Sequence, residues 1–442
     1  MAYAEKVFKV RDGKQTKQYT WRARYKKPDG TWGSEPGFPT KALAREWGEG
    51  QEAAMREGRW IDPALSRVTF GAFTHKWMAA QTPRGRTVIN RWELLERHIL
   101  PRWEHTPLHA ITWFDVEAWS RTLTCAQSVV GHALTLMSQI MTGAVDARHI
   151  QVNPLYGRRK TGASNSSAAG PRKASDEDMW APAEDVLRLA RRLGPVNGLL
   201  VLTTAWTGLR WGEATGLHRR NTLLTRRQAY DAGFFECPIL RVDAEVGELA
   251  EYLVRVEGVK KKSRIQQLEP PKNKTSARDI DVPPFLAALL EKHLANWPHD
   301  FVFSTASGSW WWRNNWSRIL RPAADGRPAT KRHGRWPAKD AWAPIKTGLT
   351  MRDLRHTHDT WQAEANVAPV LAHEQAGHKF PGIKGVYQHP TPEMRQYRLE
   401  AHQRRFERAM KNLGWVEVWE AKAPKYLLDD HSADAVDVSS ST

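Results

Sequence analysis

The chain has 442 residues, 41% of them hydrophobic, which is long enough for two to four domains and too apolar for a disordered polymer. A formal net charge of +18 points to a polyanionic partner, most commonly nucleic acid. Cys125 and Cys237 are the only cysteines and match no zinc spacing, so a disulfide scaffold or zinc finger is not expected and a reducing compartment is. The polar N-terminus does not read as a signal peptide, and no unbroken apolar run approaches the ~20 residues of a membrane span. The 22 tryptophans read as core or groove-lining residues.

Residues 1–67 read as a small separate module. "KVFKVRDG" and "KQYTWRARYKKPDGTW" alternate polar with apolar or aromatic residues and break at Asp12-Gly13 and Pro28-Asp29-Gly30, a strand-and-turn pattern. Thr40 then caps "KALAREWGEGQEAAMREG", a helix ending at Gly58. Three short strands and one helix are the expected build. Residues 1–30 carry nine Lys/Arg against three Asp/Glu. A sheet with protruding Arg22, Arg24, Lys26 and Lys27 suits insertion into a DNA groove; the plainer reading is a solvated face.

Residues 68–156 read as a bundle of four or five helices, with apolar residues at three- and four-residue spacing and Pro101, Pro107 and Pro154 as punctuation. Arg84, Arg86 and Arg91 are candidates for phosphate contacts, or ordinary surface charges. Residues 157–173, "GRRKTGASNSSAAGPRK", form a basic linker with no acidic residue, in which Arg158 and Arg159 can follow a phosphate backbone. Residues 174–415 form the largest domain: helices first, then strand-like "CPILRVDAE", "YLVRVEGV" and "ARDIDVP", then helices again. Residues 416–442 are an acidic tail that opens on strand-like "VEVWE". The fold class is mainly α with small β-sheets (α+β).

Several fragments carry chemistry. In "TGLRWGEATGL", Arg210 stands near a helix start with Glu213 one turn on, either a phosphate fork with its orienting carboxylate or a plain i,i+3 pair. "PPKNKTSARDIDVP" reads as a hairpin whose turn offers Lys272 or Lys274 to a ligand, or as an exposed basic hairpin. "MRDLRHTHDTW" puts Arg352 and Arg355 on one helix face with Asp359, and paired guanidiniums favour an anion between them. "GHKFPGIKGVYQHP" places Tyr387 nine residues after His378 and two before His389. The histidine spacings fit no standard metal pattern, so no metal site is expected.

In this order and spacing, the fragments resemble the tyrosine recombinase (phage integrase) family, over about residues 1–415 and most strongly from Arg210 to Tyr387. The family's "TG-L-Arg" with a following Glu matches Arg210 and Glu213. Its "PKT" Lys matches Lys272, the second arginine of its "LRHT" helix matches Arg355, and its "GH" followed by Tyr matches His378 and Tyr387. Where the family most often has His, this chain has Arg352, which donates to phosphate but does not relay a proton near neutral pH.

The resemblance implies that Tyr387 attacks a DNA phosphodiester, giving a 3′-phosphotyrosine and a free 5′-hydroxyl. Arg210 and Arg355 would hold the nonbridging oxygens and Lys272 would protonate the leaving oxygen, with Lys274 a second candidate. His378 and Arg352 would add donors, and Glu213 would orient Arg210. It further implies no cofactor, specific double-stranded attachment sites, a homotetramer on two duplexes, and room for a directionality factor and a host DNA-bending protein. An arm-site module would occupy 1–67 and a core-site domain 68–156. The setting would be the nucleoid-associated cytoplasm of a prokaryotic host, with no membrane. A type IB topoisomerase-like enzyme and a catalytically inactive DNA-binding regulator on the same scaffold are the alternative readings.

Overall fold

The computed structural model describes residues 2–11, 14–82, 85–158, 179–230, 233–255, 262–334, 337–380 and 388–419, and the chain divides into two compact units, Met1–Asn165 and Ser166–Thr442.

In the first unit, β1 (Tyr3–Arg11), β2 (Lys14–Lys26) and β3 (Trp32–Phe38) pair antiparallel in that order. The strand alternation turns Ala23 and Tyr25 inward toward α1 (Lys41–Arg56), capped as expected by Thr40, whose hydroxyl accepts from the Leu43 N–H. Trp47 and Trp60 close over the Tyr25 ring edge-on, at 5.5 and 6.3 Å. Arg22, Arg24 and Lys26 alternate onto the opposite face and Lys27 follows the strand end, but they are not four free cations. Arg22 donates to Glu5 at 3.2 Å, Arg24 lies 3.6 Å from the same carboxylate, and Lys27 is held by Asp62 at 2.5 Å; Lys26 is exposed.

The rest of this unit is helical: α2 (Phe70–Ala79), α3 (Gly85–Leu94), α4 (Trp113–Thr122) and α5 (Gln127–Asp146). The α3 helix continues through a π-helical turn, Leu95–Ile99, into Leu100–Trp103. Pro101 explains that widening, because it brings no N–H and its ring crowds the preceding turn. Phe70, Leu95, Ile99, Trp103, Met137 and Ile140 fill the buried centre. Contrary to the expectation from unbroken apolar runs, α5 is long and apolar enough to cross a membrane by length and composition, because its Gly, Ser and Thr residues interrupt the run without adding charge. Its apolar stripe from Val130 to Ala144 lies in the bundle core. Arg91 donates to Gln139 at 3.3 Å and stacks 5.1 Å from the Trp77 ring, so it braces the bundle. Arg86 and Arg158 are exposed; Arg84 and Arg159 lie outside the described residues.

The second unit is built around α6 (Ala183–Thr207), which breaks at Gly194 (φ 76°) just before Pro195 and then runs through the core. Trp206 near its end touches Trp361 at 4.6 Å and Phe285 at 5.2 Å, and Phe285 stacks on Phe406 at 3.8 Å. After the short helix α7 (Trp211–Thr215) come β4 (Thr222–Tyr230), β5 (Gly233–Val242), β6 (Glu248–Arg255), β7 (Lys262–Glu269) and β8 (Arg278–Asp281). They form a three-stranded antiparallel sheet ordered β4-β5-β8 and a separate β6-β7 hairpin. The helices α8 (Pro284–Asn296), α9 (Arg313–Asp325), α10 (Met351–Glu364), α11 (Pro369–Ala376) and α12 (Pro392–Leu413) complete the unit. The mainly helical α+β class stands.

Two local expectations fail. "PPKNKTSARDIDVP" is not a hairpin: β7 pairs with β6 and β8 pairs with β5, so the segment carries the chain between two sheets. Pro270 and Pro271, which lack N–H donors, end the first ladder. "VEVWE" is not a strand over its described residues, 416–419. It docks on the same chain's α6, where Arg191 donates to the carbonyl of Val418 (2.8 Å) and the Trp419 indole donates to that of Ala190 (3.0 Å). Val418 is buried there.

A buried ionic centre ties β8 to α12. The Asp281 carboxylate, fully enclosed, accepts from Arg226 (2.6 Å), Arg395 (3.0 Å) and Arg398 (2.6 Å). Burial alone would raise this carboxyl; Arg398, Arg226 and Arg395 outweigh it and hold it below its ordinary value. Its folded pKa is therefore the lower one, so its stabilisation is complete above the unfolded value and is lost as the pH falls through the folded one. Asp281→Asn leaves three guanidiniums around a neutral amide and should cost about 3–5 kcal/mol in urea unfolding at pH 7. The gap from wild type should narrow below about pH 4, and a constant gap would show that the ion centre is not its source.

Candidate active site

The site assembles where three chain reversals meet. Thr207 ends α6, and Gly208 (φ 69°) turns the chain in a left-handed conformation that a Cβ would strain; a Cβ there would also meet the His358 ring at 2.7 Å. Two residues on, Arg210 caps α7, and its backbone N–H donates to Glu213 at 2.9 Å. The second reversal is Gly377 (φ 65°), which ends α11 and presents His378. The third is the turn Lys274–Ser276, which leads into β8.

Glu213 is the hub. Its carboxylate is buried and takes the Arg210 side chain at 2.7 Å and both terminal nitrogens of Arg278 at 3.1 and 3.0 Å. Burial pushes this carboxyl up; Arg278 first and then Arg210 overcome the push, so it stays ionised. The sequence patterns above do not single out Arg278, yet it ties together more of the site than any other residue they miss. It also donates to the carbonyls of Gln375 (2.7 Å) and Ser276 (2.8 Å), so one guanidinium joins α7, the end of α11 and the lysine-bearing turn. The available signal is an Arg at the start of the short strand "RDID", where burial demands a partner.

Arg355 enters from α10, whose first turn is fixed by the reciprocal Thr350–Asp353 capping box. It is buried and donates to the Gly208 carbonyl and, at 2.6 Å, to the Ala376 carbonyl. Arg210 points at that same Ala376 oxygen, at 3.3 Å. Burial and then Arg210 lower the Arg355 pKa to about 10, which keeps it charged at neutral pH. The His378 Nε2 lies 3.3 Å from Arg355. A guanidinium only donates, so Nε2 accepts and the ring proton sits on Nδ1. Burial, then Arg355 and Arg210, lower the His378 pKa and favour the neutral ring.

The expected residues are thus brought together unequally. Arg210, Glu213, Arg355 and His378 converge. Lys272 and Lys274 are exposed, and their turn is tethered to the site through Ser276, whose hydroxyl accepts from Arg210 at 3.3 Å. Arg352 stands exposed beside a cleft of about 490 Å³ that Arg210, Arg355, Arg313 and Arg321 also line. Its own hydrogen bond goes to His356, at 3.2 Å. Tyr387 lies outside the described residues, as do Pro381, Gly382 and Gly385; His389 is exposed. Among the described residues no three His, Cys, Asp or Glu side chains are grouped to hold a metal ion. What remains is a cationic pocket whose strongest donors converge on one backbone oxygen.

No protein-family model matches the chain. A protein named as a prophage phiRv2 integrase of Mycobacterium tuberculosis is 26% identical over 377 residues, covering 84% of this chain and 88% of the relative. The integrase of Mycobacterium phage FRAT1 is 23% identical over 363 residues, covering 78% of this chain and 99% of the relative. Among solved structures, the Tn1549 transposon integrase in complex with a circular intermediate DNA superposes with a TM-score of 0.50 at 16% identity, over 75% of this chain and 98% of that one.

The hub can be tested by stability alone. Glu213→Gln should cost about 3–5 kcal/mol, because two guanidiniums lose their buried counter-charge. Arg278→Met should cost less in that background than in wild type, with a coupling of about 1–3 kcal/mol in a urea double-mutant cycle. Additive losses would show that the two residues do not act as one unit.

Proposed function

We propose that the chain is a tyrosine recombinase that integrates, and in the reverse sense excises, a mobile DNA element by cleaving and rejoining DNA through a 3′-phosphotyrosine on Tyr387. Its relatives named as integrases favour site-specific recombination over topoisomerase-like relaxation or an inactive regulator. The observation that carries the mechanism is the convergence of Arg210 and Arg355 on the Ala376 oxygen. Two guanidiniums sharing one acceptor have donor capacity to spare, and a phosphodiester oxygen is the acceptor their charge favours.

In this reading the Tyr387 hydroxyl gives up its proton to solvent water, its phenolate oxygen bonds to phosphorus, and the 5′-oxygen of the next nucleotide leaves. Negative charge grows on the nonbridging oxygens, where Arg210 and Arg355 stabilise it. Both are held before substrate arrives, Arg210 by Glu213 and Arg355 by backbone carbonyls, so little reorganisation is needed at the moment of reaction. His378, neutral, donates a hydrogen bond to the phosphoryl group through a ring N–H. Lys272, or Lys274 on the same turn, delivers a proton to the leaving oxygen. The phosphodiester energy is kept in the phosphotyrosine, so the 5′-hydroxyl of a second strand reverses the step without a cofactor. Residues 1–67 serve arm-type sites, residues 68–156 core sites, and four protomers join two duplexes.

Tyr387→Phe should abolish covalent adduct on a nicked suicide duplex while leaving DNA affinity within about twofold, since one hydroxyl and no charge is removed. A persisting adduct would move the nucleophile elsewhere, with Tyr397 the next candidate. Wild-type cleavage should proceed in EDTA, because cationic side chains stand where a metal would otherwise neutralise the phosphate. Activity abolished on chelation and restored by Mg²⁺ would overturn the metal-independent mechanism.

A further inference from the structure

Between α9 and α10 the chain makes an excursion that no part of the mechanism uses. The described residues of 326–334 and 337–348 form a two-rung antiparallel prong. Arg327 and Trp342 exchange backbone hydrogen bonds (3.0 and 2.8 Å), and so do Thr330 and Lys339 (2.8 and 2.9 Å). The root is braced. Arg192 of α6 donates from one nitrogen to the carbonyls of Ala323 (2.7 Å) and Ala343 (2.9 Å), tying the outgoing leg to the returning one. Arg327 lies 3.5 Å over the Trp342 ring, and the Gly348 N–H donates to Asp325 at 2.7 Å. The returning leg runs directly into Thr350, the cap of the helix that carries Arg352 and Arg355.

The far end is built differently. Lys331, Arg332 and His333 are exposed, and neither Lys331 nor Arg332 pairs with a carboxylate among the described residues. The described part of 326–348 holds five Lys or Arg and a single acidic residue, Asp340. The described residues beyond the second rung, 331–334 and 337–338, include no large apolar side chain. Exposed cations attract a polyanion, and a braced root means little conformational freedom is given up when they are engaged.

We propose that the tip of this prong, through Lys331 and Arg332, grips the phosphate backbone of duplex DNA flanking the phosphodiester held by Arg210 and Arg355. The inference rests on the recombinase reading and adds a DNA-binding surface to it. The grip is independent of base sequence, so it adds affinity and orientation rather than site choice.

The test is a salt titration of binding to a random-sequence duplex of about 40 base pairs by the full-length protein. The slope of log K against log salt flattens by about 0.9 for every phosphate the protein ceases to neutralise, so Lys331→Ala combined with Arg332→Ala should flatten it by about 1.8. The charge-conserving pair Lys331→Arg with Arg332→Lys should keep the wild-type slope. Thermal unfolding should be unchanged in both, since the two side chains are exposed. Wild-type protein that does not bind the duplex overturns the recombinase reading and this inference with it. Wild-type binding with an unchanged slope in the alanine variant overturns the inference alone and leaves the prong to a protein partner. A slope flattened equally in the charge-conserving variant also overturns it, because charge would not be the cause.

Discussion

One buried carboxylate organises the reactive end of this molecule. Glu213 is flanked by two guanidiniums that would repel each other without it. Arg210 lines the cleft and Arg278 lies buried behind it, and both reach the end of α11 and the turn before β8. An ion pair this deep is expensive to assemble, and its net stabilisation against an apolar trio of the same volume is small. Its value is positional: the charges are unfavourable anywhere but in register, so the geometry of Arg210 is set before any substrate is present.

The same logic explains why Arg355 is buried rather than displayed. A guanidinium in a polar surface groove would sample many rotamers. Here its donors are engaged by the carbonyls of Gly208 and Ala376, both at helix ends where backbone oxygens lack intrahelical partners. The C-terminal end of α11 also carries the negative pole of its helix. Arg355 is therefore held against carbonyl dipoles, whereas Arg210 is anchored by the Glu213 carboxylate and reaches the Ala376 carbonyl with its other terminal nitrogen.

How much of this is legible in sequence differs by residue. Arg210, Glu213 and Arg355 are visible because spacing relates them to a helix cap and a helix face, and local geometry preserves those relations. The three N-terminal strands and the apolar helices are visible for the same reason, through period. The strands β4 and β7 are not. "TLLTRRQAY" and "KSRIQQLE" hold too many charged and polar residues to read as strands until their sheet partners are known. For Arg278 the sequence offers only an arginine at the start of a short strand; its partner is tertiary, and nothing within ten residues of it announces Glu213. Arg22, Arg24 and Lys27 look free for the same reason, since Glu5 and Asp62 neutralise them from other strands or turns.

The four-residue strand β8 has a structural weight its length does not suggest. Arg278 at its start holds the Glu213 hub, and Asp281 at its end holds Arg395 and Arg398 of α12. Those two arginines also reach back to α11, Arg395 to Glu374 at 2.8 Å and Arg398 to Gln375 at 2.6 Å. The helices α11 and α12 are therefore both bolted to the strand that braces Glu213. A mutation that frees α12 from Asp281 would loosen that helix and the Glu213 hub through one strand, although neither Asp281 nor the two arginines lines the cleft.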